Sequence, residues 1–321
     1  MSSKSSLVWP SHHLIRQVCS LKLALLSCII GTTLLLSMNS SFSARSLRGF
    51  SLFTDVTNAN EVQFQGKLTD LPDQNIRRPV MHTFYEMSDA GEEDLLELWK
   101  EAWDKAGWDT VVLGLEDAQK HPYYDEMFSV IDPLWDMTYN GLCYYRWLAM
   151  AASGGGWMSD YDLFPTNFPK DEGFMENLPN GGHFTSFYRH VPSLMSGRDD
   201  EWMRVTKLLI EALKEDRVEN AFKSDMFTFQ QLYEEDSHNI QFDVPEYNLN
   251  KGFLYMKTEE VDCRQMDASH AVHFSHYQSL LAYETSTFPY KLRKGENLFL
   301  KRGPAVKIFL ADWEEQCIGP R

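Results

Sequence analysis

The sequence predicts an α/β fold, a mostly parallel sheet flanked by helices, after an amino-terminal membrane anchor. Three observations predict it. Strand-like and helix-like segments alternate through the body from residue 79 onward. The 321 residues are 43% hydrophobic and 24% charged, with only 18 Gly and 13 Pro, which excludes collagen-like, low-complexity and broadly disordered classes. One long uncharged apolar run lies near the amino terminus and has no counterpart later in the chain.

That run occupies residues 23–38, and Leu21 and Lys22 extend it to 21–38, with Lys22 close enough to the end to snorkel. It lies between the length of a signal-peptide core and that of a membrane span. The leading expectation is an uncleaved signal-anchor over 21–38, with a cytoplasmic tail over 1–20. A signal cleaved after Ser43 and an organelle transit sequence stay open as alternatives. Residues 39–78 mix Ser, Asn, Asp and Gln without sustained periodicity and read as a stem or linker. Residues 79–321 form the body.

Within the body, residues 79–85 read as a strand. Residues 92–105 place Leu95, Leu96, Leu98, Trp99 and Trp103 on one helical face, and Gly107 ends the helix. Residues 110–115 give a second buried strand. Residues 142–152 form a mostly apolar helix, stopped by Ser153 and three glycines. A strand over 156–164 follows, running into a turn at Pro165. Further helices are predicted over 201–214 and 225–233. Trp99, Trp103 and Trp108 are expected in the core.

Charge narrows the partners. Residues 1–50 carry five basic and no acidic residues, so the remaining 271 carry 25 basic and 46 acidic ones, a net of −21. A body this acidic repels a polyphosphate backbone, and no nucleic-acid partner is expected. An anionic ligand would have to be received through a metal ion or a local nest of donors. Cys143, Cys263 and Cys317 are the only cysteines of the body, so at most one disulfide forms within it. No CxxC occurs, which removes zinc ribbons and thioredoxin-like chemistry.

The informative stretch runs from Arg146 to Asp162 and contains Gly154-Gly155-Gly156-Trp157-Met158-Ser159-Asp160-Tyr161-Asp162. Positions i and i+2 of a strand point to one side, so Asp160 and Asp162 converge if the strand stays regular. Two adjacent carboxylates call for a counter-charge, and a hard divalent cation, Mn²⁺ or Mg²⁺, supplies it while keeping positions open for phosphate oxygens. The glycines permit a tight turn and close backbone approach by a ligand. Arg146, fourteen residues before Asp160, can return to hold a carboxylate or a diphosphate. A solvated acidic turn is the plain alternative for Asp-x-Asp. Asp225, at an apparent helix start, is first of all a cap, with acceptor or sugar contact as its functional reading.

This run resembles the donor-binding segment of GT-A glycosyltransferases, a Rossmann-like fold, and within them the DXD sugar-binding group related to the initiating α-1,6-mannosyltransferase and to glycosphingolipid-modifying transferases. The group's pattern is roughly R-[YW]-x-x-L-x-x-x-G-G-x-Y-x-D-x-D. Arg146-Trp147, Gly155-Gly156 and Asp160-x-Asp162 match it. Residues 79–85 resemble the group's first strand, with His82 one place early, and residues 108–116 resemble its second. The likeness covers residues 79–165 well. Cys143 stands where the group commonly has Asp, and Met158 where it has Tyr.

The resemblance implies a GT-A-like catalytic domain over 79–321 and a hexosyl-transferring, retaining glycosyltransferase. It implies Asp160 and Asp162 as the catalytic and metal-binding pair, and Arg146, Gly155, Gly156, Trp157 and His82 on the donor side. A third metal ligand is implied near the carboxyl end of the domain, often His. Of His270, His273 and His276, His273 is favoured, since it follows Ala271-Val272 and precedes Phe274. The donor would be a UDP- or GDP-sugar and the acceptor a glycan, lipid or protein. With the anchor, the expected location is the Golgi or ER membrane, single-pass type II, with the catalytic domain in the lumen. The alternative class is an inactive lumenal module of the same fold that binds glycan or a partner, which Cys143 and Met158 motivate. A metal-dependent phosphohydrolase would need more clustered Asp and His than the sequence offers.

Overall fold

The structure, a computed structural model, describes residues 77–86, 92–135, 139–189, 191–215, 224–235, 260–319 and three two-residue strands between 241 and 257. The expected tail, anchor and nearly all of the stem (1–76) lie outside the described residues. Among the described residues no helix is long and apolar enough to cross a membrane.

The chain opens with β1 (Val80–Phe84), α1 (Glu93–Lys105) and β2 (Asp109–Leu113), then a single turn α2 (Leu115–Ala118). Next come α3 (Tyr124–Trp135), which is not among the predicted helices, and α4 (Tyr139–Ala152). β3 (Gly155–Ser159), β4 (Leu163–Pro165), β5 (Thr185–Ser186) and β6 (Leu194–Arg198) follow, with α5 (Asp199–Glu215) and α6 (Asp225–Glu235) after them. The carboxyl part contains β7 (Gln241–Phe242), β8 (Leu249–Asn250), β9 (Met256–Lys257), β10 (Glu260–Val261), α7 (Cys263–Asp267), β11 (Ala271–His273), α8 (His276–Glu284) and α9 (Arg302–Trp313).

The central sheet has the order β2-β1-β3-β6-β5-β7. Its β1–β2, β1–β3 and β5–β7 pairings are parallel, and β6 runs antiparallel to both neighbours. The mostly parallel sheet flanked by helices is therefore present, with β6 reversing the direction beside the strand that leads to the site. Alternation along β3 sends Trp157 into one apolar layer with Trp99, Trp103, Trp108 and Phe164, and Met158 into the other with Trp147, Met195 and Trp202. The three tryptophans expected in the core are fully buried. Their rings stack edge-on: Trp103 and Trp108 centroids lie 5.4 Å apart, Trp108 and Trp157 6.2 Å.

One predicted element is corrected. The strand expected over 156–164 is two strands in two sheets. β3 stops at Ser159, and β4 begins at Leu163 in a second sheet of order β4-β11-β8. Between them Leu163 N–H donates to the Asp160 carbonyl at 3.0 Å, closing a tight turn over Asp160–Tyr161–Asp162. The chain leaves one sheet and enters the other at the Asp-x-Asp.

The glycine run serves that junction. Gly155 has φ +79°, and a Cβ there would lie 2.7 Å from the backbone nitrogen of Asp199, so only glycine lets β3 start against the β6–α5 corner. A disulfide joins Cys263 to Cys317 and does not involve Cys143, in keeping with the expected ceiling of one bridge in the body.

Candidate functional site

The site sits at the carboxyl end of β3, where ligands of largely parallel α/β sheets gather. The turn places Asp160 and Asp162 there. The β4–β11 pairing sets His273 opposite Leu163, one residue past Asp162. The convergence comes from this turn and this pairing, not from the regular strand expected from the sequence.

Asp160, Asp162 and His273 each offer one ligand atom, and these atoms all lie within 4.8 Å of one another. His273 Nε2 is 3.1 Å from Asp162 Oδ1 and 3.8 Å from Asp160 Oδ2. The other oxygen of each carboxylate is engaged from behind. Arg146 Nη1 donates to Asp160 Oδ1 at 2.8 Å, and Arg302 Nη1 donates to Asp162 Oδ2 at 2.6 Å. Each aspartate thus turns one oxygen toward the histidine and gives the other to an arginine.

Both arginines are held by further carboxylates. Asp225, the first residue of α6 and 1% exposed, accepts through Oδ2 from Arg146 Nε (3.1 Å), Arg146 Nη2 (2.5 Å) and Trp147 Nε1 (3.0 Å). The cap expected of Asp225 is replaced by this anchoring role. Glu92, just before α1, accepts through Oε1 from Arg302 Nε (3.1 Å) and Nη2 (2.6 Å), and Tyr161 OH donates to its Oε2. His276 Nε2 lies 3.2 Å from Glu92 Oε1.

The protonation preferences follow. Burial pushes the Asp160 carboxyl up to about 6, with the Asp162 charge adding to it against Arg146. Burial would also raise Asp162, but His273 and Arg302 outweigh it and hold Asp162 far below the usual carboxylate range. Burial lowers His273, and the Asp162 charge and hydrogen bond reverse this, so its imidazole is raised. Four carboxylates (Glu92, Asp160, Asp162, Asp225) face two guanidiniums (Arg146, Arg302), which leaves two negative charges when the histidines are neutral.

The donor set fits a divalent cation. It is two hard oxygens and one imidazole nitrogen, the charge deficit matches a doubly charged ion, and among the described residues the metal-facing oxygens meet His273 but no arginine or lysine. Among the described residues His273 Nδ1 is buried without a partner, so its tautomer is set by whatever Nε2 meets.

Beside this cluster opens a cleft of about 130 Å³. Its polar wall includes Glu92, Arg146, Asp160, Asp162 and His276, and its apolar wall includes Phe84, Tyr85, Leu142, Cys143 and Met158. Of the residues expected on the donor side, only Arg146 lines it. His82 is buried, with Nδ1 3.0 Å from the Trp157 carbonyl. Trp157 is fully buried and donates from Nε1 to the Glu172 carbonyl at 2.9 Å. Gly155 and Gly156 are buried in β3. Burial lowers the His82 imidazole, as suits a neutral ring joining two strands.

Sequence reasoning missed Glu92 and Arg302. Glu92 opens an acidic helix start that reads as dipole complement, and Arg302 lies in no motif. No signal in a single sequence pairs residues 210 positions apart. Of the three histidines considered, His273 is the one beside both aspartates; His276 lines the cleft through Glu92.

The fold and the site define a mixed α/β protein with an Asp-Asp-His cluster at the carboxyl edge of its sheet. Residues 60–249 match a domain of unknown function, DUF8765, and the chain belongs to that family. The matched segment includes both aspartates and ends before His273 and Arg302. No curated protein matches the sequence. Among solved structures, the chain is similar to a glycosyltransferase involved in the glycosylation of the major capsid of PBCV-1, at 11% identity and a TM-score of 0.41, over 64% of this chain and 98% of that one.

Proposed function

We propose that this chain is a metal-dependent glycosyltransferase that moves a hexose from a UDP- or GDP-sugar to a glycan, lipid or protein acceptor, with retention at the anomeric carbon. The observation that carries the reading is the convergence of Asp160 Oδ2, Asp162 Oδ1 and His273 Nε2 at the end of β3 beside an open cleft. The Arg146 to Asp162 motif and its likeness to the mannosyltransferase-related DXD group support it. Residues 21–38 support a type II anchor in the Golgi or ER membrane with the site in the lumen.

Mn²⁺ or Mg²⁺ held by Asp160, Asp162 and His273 would neutralise the charge that develops on the departing diphosphate. Arg146 gives all three of its nitrogens to Asp160 and Asp225, so its work is to aim Asp160. Phe84, Tyr85, Leu142 and Met158 offer the apolar surface on which a base or sugar ring excludes water.

The test is thermal unfolding of the full chain with Mn²⁺ and UDP, GDP or CMP. A ligand at a hundred times its dissociation constant adds about 2.7 kcal/mol of stability. A shift that needs both the metal and one nucleotide is expected, and names the donor class. Cys143 lines the cleft where the resembling group has a carboxylate, which favours an inactive glycan- or partner-binding module as the second reading. Absence of any nucleotide-dependent shift on folded protein would establish that reading over the first.

A further inference from the structure

We propose that Arg302 is a positioning residue for the metal centre: together with Glu92 it restricts Asp162 to one outward-facing oxygen and fixes the His273 strand beside it. The inference rests on the reading that Asp160, Asp162 and His273 bind a divalent cation.

Arg302 is the first residue of α9 and is fully buried. Its planar fork meets two carboxylates on two sides. One side, Nε and Nη2, is filled by Glu92 Oε1 at 3.1 and 2.6 Å. Nη1 serves Asp162 Oδ2 at 2.6 Å and the Phe274 carbonyl at 3.1 Å. Phe274 follows His273, and its N–H donates to the Asp162 carbonyl at 2.8 Å. One guanidinium therefore touches the side chain of one proposed ligand and the backbone beside another. Glu92 is itself fixed, by Tyr161 OH and by His276 Nε2 at 3.2 Å, so the plane of the fork has little freedom.

The consequence for the metal is geometric. With Oδ2 bound to Arg302, Asp162 presents Oδ1 alone and would hold an ion through that one oxygen. Coordination positions that a two-oxygen carboxylate would take would be left for substrate oxygens. A lysine at position 302 would keep the positive charge but could not serve Glu92, Asp162 and Phe274 together. Outer partners of this kind tune metal affinity about 10- to 100-fold.

The experiment is Mn²⁺ titration of the full-length parent, Arg302→Lys and Glu92→Asp, read from the electron paramagnetic resonance of the free ion, with a thermal melt of each. Both substitutions conserve charge, so a change in affinity reports geometry. The expected result is weaker Mn²⁺ binding by about 10- to 100-fold in Arg302→Lys, with Glu92→Asp between it and the parent. A lowered melting temperature with unchanged Mn²⁺ affinity would mark a merely structural arginine and overturn the proposal. Should Arg302→Lys lose its cooperative melt, Glu92→Asp decides alone: weaker binding upholds the proposal and parental affinity overturns it. A parent that binds no Mn²⁺ sinks the metal reading itself, a distinct failure.

Discussion

Asp160 and Asp162 are two residues apart and differ in what holds them. Asp162 is 6% exposed and receives a buried arginine and a histidine, whereas Asp160 is partly exposed and shares its arginine with Asp225. Asp162→Asn therefore leaves Arg302 with one carboxylate instead of two, and a destabilisation of about 3 kcal/mol is expected. Asp160→Asn leaves Arg146 paired to Asp225, and a cost of about 1 kcal/mol is expected. Both variants should lose Mn²⁺ binding and transfer; urea unfolding and a transfer assay separate the two effects. Glu92 supplies part of the pH dependence, beside the more strongly lowered Asp162. Burial alone would raise its carboxyl, but the His276 hydrogen bond and the Arg302 charge hold it at about 2, against an ordinary 4.5. A carboxyl lowered by folding stabilises the protein fully above pH 4.5 and loses that contribution as pH falls toward 2. A loss of up to about 3 kcal/mol from Glu92 is expected over that interval, and Glu92→Gln should lessen the slope of stability against pH without removing it, since Asp162 keeps its own contribution.

At the scale of elements, the Cys263–Cys317 bridge encloses His273, His276 and Arg302, all of the site's carboxyl-side residues. It closes a loop across 54 residues, for which chain entropy gives about 4 kcal/mol. Cys263→Ser/Cys317→Ser should lower stability by about that amount in chemical denaturation and weaken Mn²⁺ binding, since β11 and the start of α9 lose their shared tether. The same elements show what was legible in the chain. Helical spacing of Leu95, Trp99 and Trp103 locates α1 to within a residue, because one face is buried and the other is not. The turn at Asp160–Asp162 was legible only as the plain alternative, because it carries neither Gly nor Pro, and the strand expected over 156–164 ran across it from β3 into β4. Tyr124–Trp135 escaped because Pro133 and its scattered acidic residues blur the helical period. His273 was found from its apolar flanks and the family likeness. Glu92 and Arg302 act through tertiary contact alone, which periodicity does not encode.

At the scale of the whole molecule, the groups that make the centre come from positions 92 to 302 and lie where the six-stranded and three-stranded sheets meet. Mn²⁺ joined to Asp162 and His273 would clasp β4 to β11, so its effect should be felt by the entire fold. Calorimetry is expected to show one transition that moves upward as a unit with Mn²⁺, without a separate early-melting step. The acidic body, net −21 beyond residue 50, should bind neither DNA nor RNA, and a gel-shift assay at low salt checks this where attraction would be strongest.

The corner at which the chain passes from one sheet to the other also sets a timetable. Synthesis runs from the amino end, so a nascent polypeptide extended as far as Asp162 already bears both aspartates but neither His273 nor Arg302. More than a hundred further residues must be added before their neighbours exist. If Asp160, Asp162 and His273 hold a metal as proposed, its capture would wait until synthesis has reached Arg302 at the start of α9.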